Sequence, residues 1–219
     1  MKNFTRYYFL LLSPALCLCF CTDNPVDQRV IAANALHTSS PDSCDSPDSP
    51  IRCSFAQMPL QLSFIMQIAG TEEPGERLVI RGKILKSDGI TPVSGAKLYG
   101  YQTNAKGIYA KKGGEEGVLR WHGHLHGWCE TDAEGRYEIH TIRPARYPSN
   151  TMPAHIHPII WIEGSEPFYL TDFVFSDDDL VDNKYLNSLH QIAGGTGIVS
   201  LKKNADNVWE GERTILLKR

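Results

Sequence analysis

Residues 131–142 read Thr131-Asp132-Ala133-Glu134-Gly135-Arg136-Tyr137-Glu138-Ile139-His140-Thr141-Ile142. Asp132 and Gly135 mark a turn, because a short acidic side chain can bond its own backbone and glycine accepts positive φ. The residues after Gly135 are rich in β-branched and aromatic types, so a strand opens at Arg136 and the turn reads as a hairpin.

The same grammar extends in both directions. Candidate strands are Gln61–Ala69, Arg77–Leu85, Ala96–Gln102, Val118–His126, Arg136–Ile142, His155–Glu163, Phe168–Phe175, Gly197–Lys202 and Val208–Leu217. They are short, with partial two-residue alternation. Turn signals such as Ser87-Asp88-Gly89 and Gly194-Gly195 separate them. No stretch holds a long 3.6-residue period, although Asp177–His190 reads as one helix with acidic residues toward its start. Strands at this spacing predict a sandwich or a barrel. The expectation is an all-β, antiparallel β-sandwich with long loops and at most one or two short helices, over residues 60–219. A domain of that size buries roughly two thirds of its unfolded surface.

Composition sets the outer bounds. The chain has 219 residues, 42% hydrophobic and 21% charged, which excludes a disordered, collagen-like or multi-span membrane protein. Lys plus Arg number 22 against 25 Asp plus Glu, a net charge of -3, so nothing favours nucleic acid as a partner.

The N-terminus reads as a targeting segment. Lys2 and Arg6 precede a mostly apolar run from Tyr7 to Phe20, too short for the ~20 residues that span a bilayer. Residues 1–20 are expected to be an export signal. Cys17, Cys19 and Cys21 close it, and polar sequence follows Cys21 at once. An acylated Cys21 would hold the exported protein at a membrane surface of the cell envelope; secretion without an anchor is the other outcome. Residues 21–59 read as a flexible tether rich in Pro and Ser. Within it Cys44 and Cys53 are placed to pair in an oxidising compartment, and Cys129 is left over as a buried, inert thiol.

Six of the eight histidines fall between His122 and His157. His155-Ile156-His157 alternates on a candidate strand, so both imidazoles leave the same face and can serve one metal ion. By itself the pair is equally a solvated or internally bonded one. His122, His124 and His126 form a second alternating set, open to the same two readings.

Several motifs, taken in order, narrow this. Tyr101-Gln102-Thr103-Asn104-Ala105-Lys106-Gly107-Ile108-Tyr109 is followed by the 131–137 turn. Thr141-Ile142-Arg143-Pro144-Ala145-Arg146-Tyr147-Pro148 and Met152-Pro153-Ala154-His155-Ile156-His157 come next. This series resembles the intradiol ring-cleavage dioxygenases, the catechol and protocatechuate dioxygenase family, over about Arg77 to Asp179. The resemblance implies a ferric ion, Fe(3+), held by Tyr109, Tyr147, His155 and His157. It also implies a small aromatic diol and O2 as reaction partners, and Tyr147 as the ligand that leaves to act as a base. Phenolate is a hard anionic donor suited to ferric iron. Two phenolates and one hydroxide balance its charge, so such a site can be buried.

The sequence also departs from the family. Met152 stands where the family carries an arginine three residues before the first histidine, and Asp172 aligns with the family's glutamine. Arg143 or Arg146 is the candidate to supply the missing cation beside a developing anion. Three other readings stay open. One is an exported sandwich that binds a partner without a metal. Another is a zinc- or copper-binding envelope protein using His122, His124 and His126. The third is a cupin, whose carboxylate should follow the H-x-H sooner than Glu163 does. Pairing of two copies into a homodimer is also open.

Overall fold

The computed structural model describes residues 44–189 and 193–217. The export signal, Cys17, Cys19, Cys21 and the first part of the tether lie outside the described residues.

Among the described residues, eleven strands build two facing sheets. The first has the order β1 (Ile65–Gln67), β5 (Arg136–Ile142), β2 (Arg77–Lys86), β11 (Trp209–Leu217), β10 (Lys202–Lys203). The second has the order β4 (His126–Glu130), β3 (Lys97–Gln102), β6 (His155–Trp161), β8 (Phe173–Phe175), β9 (Ile198–Val199), with β7 (Phe168–Tyr169) also on β6. The sandwich expectation stands, but the sheets are mixed. β1 runs parallel to β5, β11 to β2, and β9 to β8.

Alternation explains the core. Leu78, Ile80 and Ile84 of β2 point inward and are fully buried, beside Ile139 and Ile215 of the neighbouring strands. From the second sheet Leu98, Ile156, Ile160 and Phe173 meet them. The opposite face of that second sheet is also covered. Tyr99 and Ile159 pack there with Cys44, Cys53, Phe55, Val118 and Leu119. The second sheet is therefore buried on both sides, and its strands are apolar on both faces.

This third layer is built in part from residues 44–55, inside the stretch 21–59 read as a tether. Cys44 and Cys53 form a disulfide, and Ile51–Phe55 is a 3-10 helix lying on the sheet. The Phe55 ring meets Tyr99 and Trp161, and Trp128 Nε1–H donates to Ser54 O at 2.8 Å. The Ser- and Pro-rich composition hides one buried aromatic and one cross-link, which suffice to fix the segment.

Other expectations also shift. Val118–His126 is not a strand: Leu119–His122 is a single helical turn (α1), and β4 begins only at His126. Val118 and Leu119 bury into the outer layer, so packing overrides their strand propensity. The 131–135 turn is not a hairpin, because β4 and β5 belong to different sheets and the chain crosses between them. Asp132 Oδ1 accepts the N–H groups of Glu134 and Arg136 and shapes that crossing. Among the described residues of Asp177–His190 only Asn183–Ser188 is helical (α2), capped by Asp182, which accepts the Tyr185 N–H. Asp177 and Asp178 bind arginines instead. Among the described residues, no helix is long and apolar enough to cross a membrane.

Candidate metal centre

β6 is flanked by β3 and β8, with Tyr101 opposite His157 and Val174 opposite His155. Ile156 points into the core, so His155 and His157 project from the outer face of the second sheet, as their alternation predicts. Two loops bring tyrosines over that face. The loop after β3 carries Tyr109, and the loop between β5 and β6 carries Tyr147.

Four side-chain atoms converge. Tyr109 Oη lies 2.6 Å from Tyr147 Oη and 3.0 Å from His157 Nε2. Tyr147 Oη lies 3.0 Å from His155 Nε2 and 3.2 Å from His157 Nε2. The two Nε2 atoms are 3.0 Å apart. All four residues singled out in the sequence as ligands are thus brought together.

The far edges of the imidazoles decide what the near edges can be. His155 Nδ1–H donates to Pro153 O at 2.6 Å, and His157 Nδ1–H donates to Asp172 Oδ1 at 2.9 Å. A neutral ring whose Nδ1 carries the proton has a bare lone pair on Nε2. Only the two phenol protons then remain to serve five close contacts. Lone pairs are left facing lone pairs, which a cation resolves. Donors bound at about 2.0–2.2 Å to one first-row ion sit roughly 3–3.5 Å from each other, close to what is found here. The donor set fits a ferric ion: two phenols that ionise to hard anions and two imidazoles of fixed tautomer.

Electrostatics agree. Burial pushes the Tyr109 hydroxyl well above its ordinary value, and its bond to Tyr147 and the Asp172 carboxylate add to that. Burial and Asp172 also raise Tyr147, against an opposing bond from Tyr109. Burial lowers His155, with His157 adding to the effect. Without a cation both phenols and His155 are therefore neutral at pH 7. His155, His157 and Asp172 also offer atoms within 4.8 Å of one another, but Asp172 occupies the Nδ1 side of His157, behind the ring.

The second histidine set separates. His122 Nδ1 is bonded to Tyr99 Oη at 2.7 Å, and its ring stacks on Tyr101 at 3.7 Å. Tyr101 in turn stacks on His157 at 4.6 Å. Burial pulls His122 down to about 3, so it stays neutral. His124 Nδ1–H donates to Ala110 O, and its Nε2 meets Glu73 Oε2 at 2.9 Å. His126 Nδ1–H donates to Gly123 O. A shared metal at His122, His124 and His126 is not what these contacts build. His124 braces the Tyr109 loop instead, through Ala110 O. Gly123, at φ 74, allows the close approach, since a Cβ there would come 2.6 Å from Ala110 O.

Neither arginine proposed for the missing cation points at the cluster. Arg143 is bonded through both terminal nitrogens to Asp177 and covers the rings of Phe175 and Trp209. Arg146 is paired with Asp178 and Asp179. The acidic run 177–179 pairs with both. Asp178 had escaped notice because Asp177-Asp178-Asp179 reads as a helix start.

A family model described as Dioxygenase matches residues 53–213. The chain belongs to that family, the intradiol ring-cleavage dioxygenases. It is 34% identical over 116 residues to the protocatechuate 3,4-dioxygenase beta chain of Burkholderia cepacia, covering 50% of this chain and 49% of that one. It is 25% identical over 198 residues to a catechol 1,2-dioxygenase of Acinetobacter baylyi, covering 76% and 59%. The chain thus spans about half the length of the curated relatives it matches. Among solved structures, 3-chlorocatechol 1,2-dioxygenase of Rhodococcus opacus superposes with a TM-score of 0.53 at 25% identity, covering 71% of this chain and 64% of that one. An intradiol ring-cleavage dioxygenase of Tetranychus urticae has the same fold, with a TM-score of 0.53 at 18% identity over 74% and 89%.

Proposed function

We propose that the chain is a non-haem ferric dioxygenase that opens a catechol-type ring between its two hydroxylated carbons with O2, giving a muconate-type diacid. The supporting observation is the cluster of two phenol oxygens and two bare imidazole nitrogens, in which two protons face five contacts. Tyr109, Tyr147, His155 and His157 are the proposed ligands.

When bound, ferric iron supplies the electron-accepting centre at which a catechol and dioxygen react. The remaining work falls to the protein. Tyr147 Oη, as a phenolate, accepts one proton from an incoming catechol hydroxyl and moves aside. Residues 148–152 that follow it are exposed, so its loop has room. Tyr109 stays, because Ala110 O beside it accepts both the backbone N–H and the Nδ1–H of His124 at 2.8 Å. Pro153 O and Asp172 keep the histidine lone pairs turned toward the centre. Export, with acylation at Cys21, remains a proposal from the N-terminal sequence; the Cys44–Cys53 disulfide is consistent with an oxidising compartment.

The test is iron analysis and spectroscopy of untagged protein. Ferric-loaded chain should show phenolate-to-iron colour that shifts when catechol binds anaerobically. It should consume O2 with at least one of catechol, protocatechuate and hydroxyquinol. His155→Ala and His157→Ala should each abolish iron retention. A chain that takes up no ferric iron overturns the proposal.

A further inference from the structure

The segments bearing Tyr147 and His155 are held together by one buried carboxylate. Asp178 has a side chain 4% exposed, and both of its oxygens are in use. Oδ2 accepts the Arg146 Nε–H at 3.0 Å and the Ala154 N–H at 2.9 Å. Oδ1 accepts the Leu180 N–H at 3.0 Å and an Arg146 Nη2–H. Arg146 immediately precedes Tyr147, and Ala154 immediately precedes His155. Arg146 also donates to Asn150 Oδ1 at 3.1 Å, across the turn that follows Tyr147.

The other side of Arg146 faces the Tyr109 loop. Gly107 sits at φ +75, and a Cβ on it would collide with Arg146 O. Thr103 Oγ1–H donates to Ala145 O at 2.7 Å, and Ala145 N–H to Asn104 O at 3.2 Å. Ala145 and Arg146 are therefore pinned between the loop of Tyr109 and the carboxylate of Asp178.

We infer that Asp178 is a positioning residue for the ligand set. By drawing Arg146 and Ala154 onto one carboxylate, it sets the 3.0 Å approach of Tyr147 Oη to His155 Nε2. Arg146 serves the site through this pair, not as a cation for the substrate. The inference rests on the ligand set named under Proposed function. It divides the support of that set: Asp172 orients His157, while Asp178 governs Tyr147 and His155.

The experiment uses the full chain with Asp178→Asn and Arg146→Gln, singly and together. Metal-free melting, ferric affinity against a competing chelator, and the phenolate-to-iron band are measured. Each single variant should lose about tenfold or more in ferric affinity and shift the band. The double variant should lose little beyond either single, because both substitutions break the same Arg146–Asp178 pair. Arg136→Gln, which breaks an exposed pair with Asp132 and Glu134, should leave affinity and band unchanged. Should Asp178→Asn fail to fold, Arg146→Lys carries the test, since it keeps the charge but loses the two-pronged bond. Wild-type affinity and an unmoved band in folded variants would overturn the inference while leaving the ligand set intact. A wild-type chain that binds no ferric iron would instead fail at the ligand set, and the inference would fall with it.

Discussion

Asp172 Oδ1 accepts the Nδ1–H of His157 at 2.9 Å, on the ring edge opposite the Tyr109 and Tyr147 hydroxyls. The bond fixes the tautomer of His157 and makes its Nε2 a stronger donor. Asp172→Asn keeps an acceptor oxygen but removes the charge; Asp172→Ala removes both. Ferric affinity should fall in the order wild type, Asn, Ala, with about 10–100-fold lost in the Ala variant. The phenolate-to-iron band should move in both, as a less electron-rich imidazole leaves the ion more acidic. Competition against a chelator, with absorption spectra, measures both effects. Equal affinity in all three proteins contradicts the role given to Asp172.

Metal uptake should be steeply dependent on pH. Burial raises both Tyr109 and Tyr147 above the ordinary tyrosine range, and the Asp172 carboxylate raises them further. Both are neutral phenols in the metal-free chain at pH 7 and must ionise to ligate. Each releases a proton, so ferric affinity weakens as pH falls, by up to about a hundredfold per pH unit for two protons. Without metal the sign concerns another window. A raised folded-state pKa favours the native phenol, so that contribution is complete below about pH 10, the unfolded tyrosine value, and is lost as pH rises further. Proton release measured calorimetrically in two buffers of different ionisation heat would check the count. A value near zero would rule out phenolate ligation.

Legibility in the sequence followed the range of the interactions. His155 and His157 were readable because alternation on a strand is local: two residues apart means the same face. Tyr109 and Tyr147 carry no local signal, and only the ordered resemblance selects them among nine tyrosines. The sandwich followed from strand grammar, but pairing partners did not. β11 lies beside β2, with Gly211 opposite Ile80, across more than a hundred residues of chain. The outer layer was missed because Phe55 and the Cys44–Cys53 bridge sit in a Ser- and Pro-rich stretch. Val118 and Leu119, which they meet, mimic a strand for the same reason: both are apolar, and what they pack against is distant in sequence.

The loop of Tyr109 should be sensitive to acid through Glu73. Its carboxylate meets His124 Nε2 and Lys112 Nζ, each at 2.9 Å, and its backbone oxygen accepts from Arg77. Burial alone would raise the carboxyl, but the bonds to Lys112 and His124 outweigh that and hold it below the ordinary range. A lowered folded-state pKa contributes stability that is present above the unfolded value of about 4.3 and is lost as pH falls through the folded value. Glu73→Gln should therefore melt below wild type at pH 7, by about 1 kcal/mol. The two melting curves should converge only as pH falls through the folded-state value, below about 4.3, where wild-type Glu73 is itself protonated. Curves that stay parallel from pH 7 to pH 3 would show that ionised Glu73 does not hold the loop.

The Cys44–Cys53 bridge closes a short loop, with a sequence separation of 9. Chain-entropy reasoning assigns such a cross-link about 2–3 kcal/mol, through the unfolded state. The 3-10 helix overlaps the end of that loop, and its Phe55, two residues past Cys53, is 2% exposed against Tyr99, on the face of the sheet that bears Tyr101, His155 and His157. Loss of the bridge in Cys44→Ser/Cys53→Ser should lower the melting temperature by about 5–10 °C. Phe55→Ala should cost about 3–5 kcal/mol, as expected for a buried ring. The two losses should not add fully, because both act on the same layer. The ferric site should survive the Cys variant below its melting point, since the hydrogen bonds that Tyr109, Tyr147, His155 and His157 make with one another, and those to Pro153 and Asp172, run through residues outside 44–59. Iron retention and band position in the double-serine protein at 20 °C test that separation. An iron-free but folded protein would show that this layer shapes the site as well as stabilising the fold.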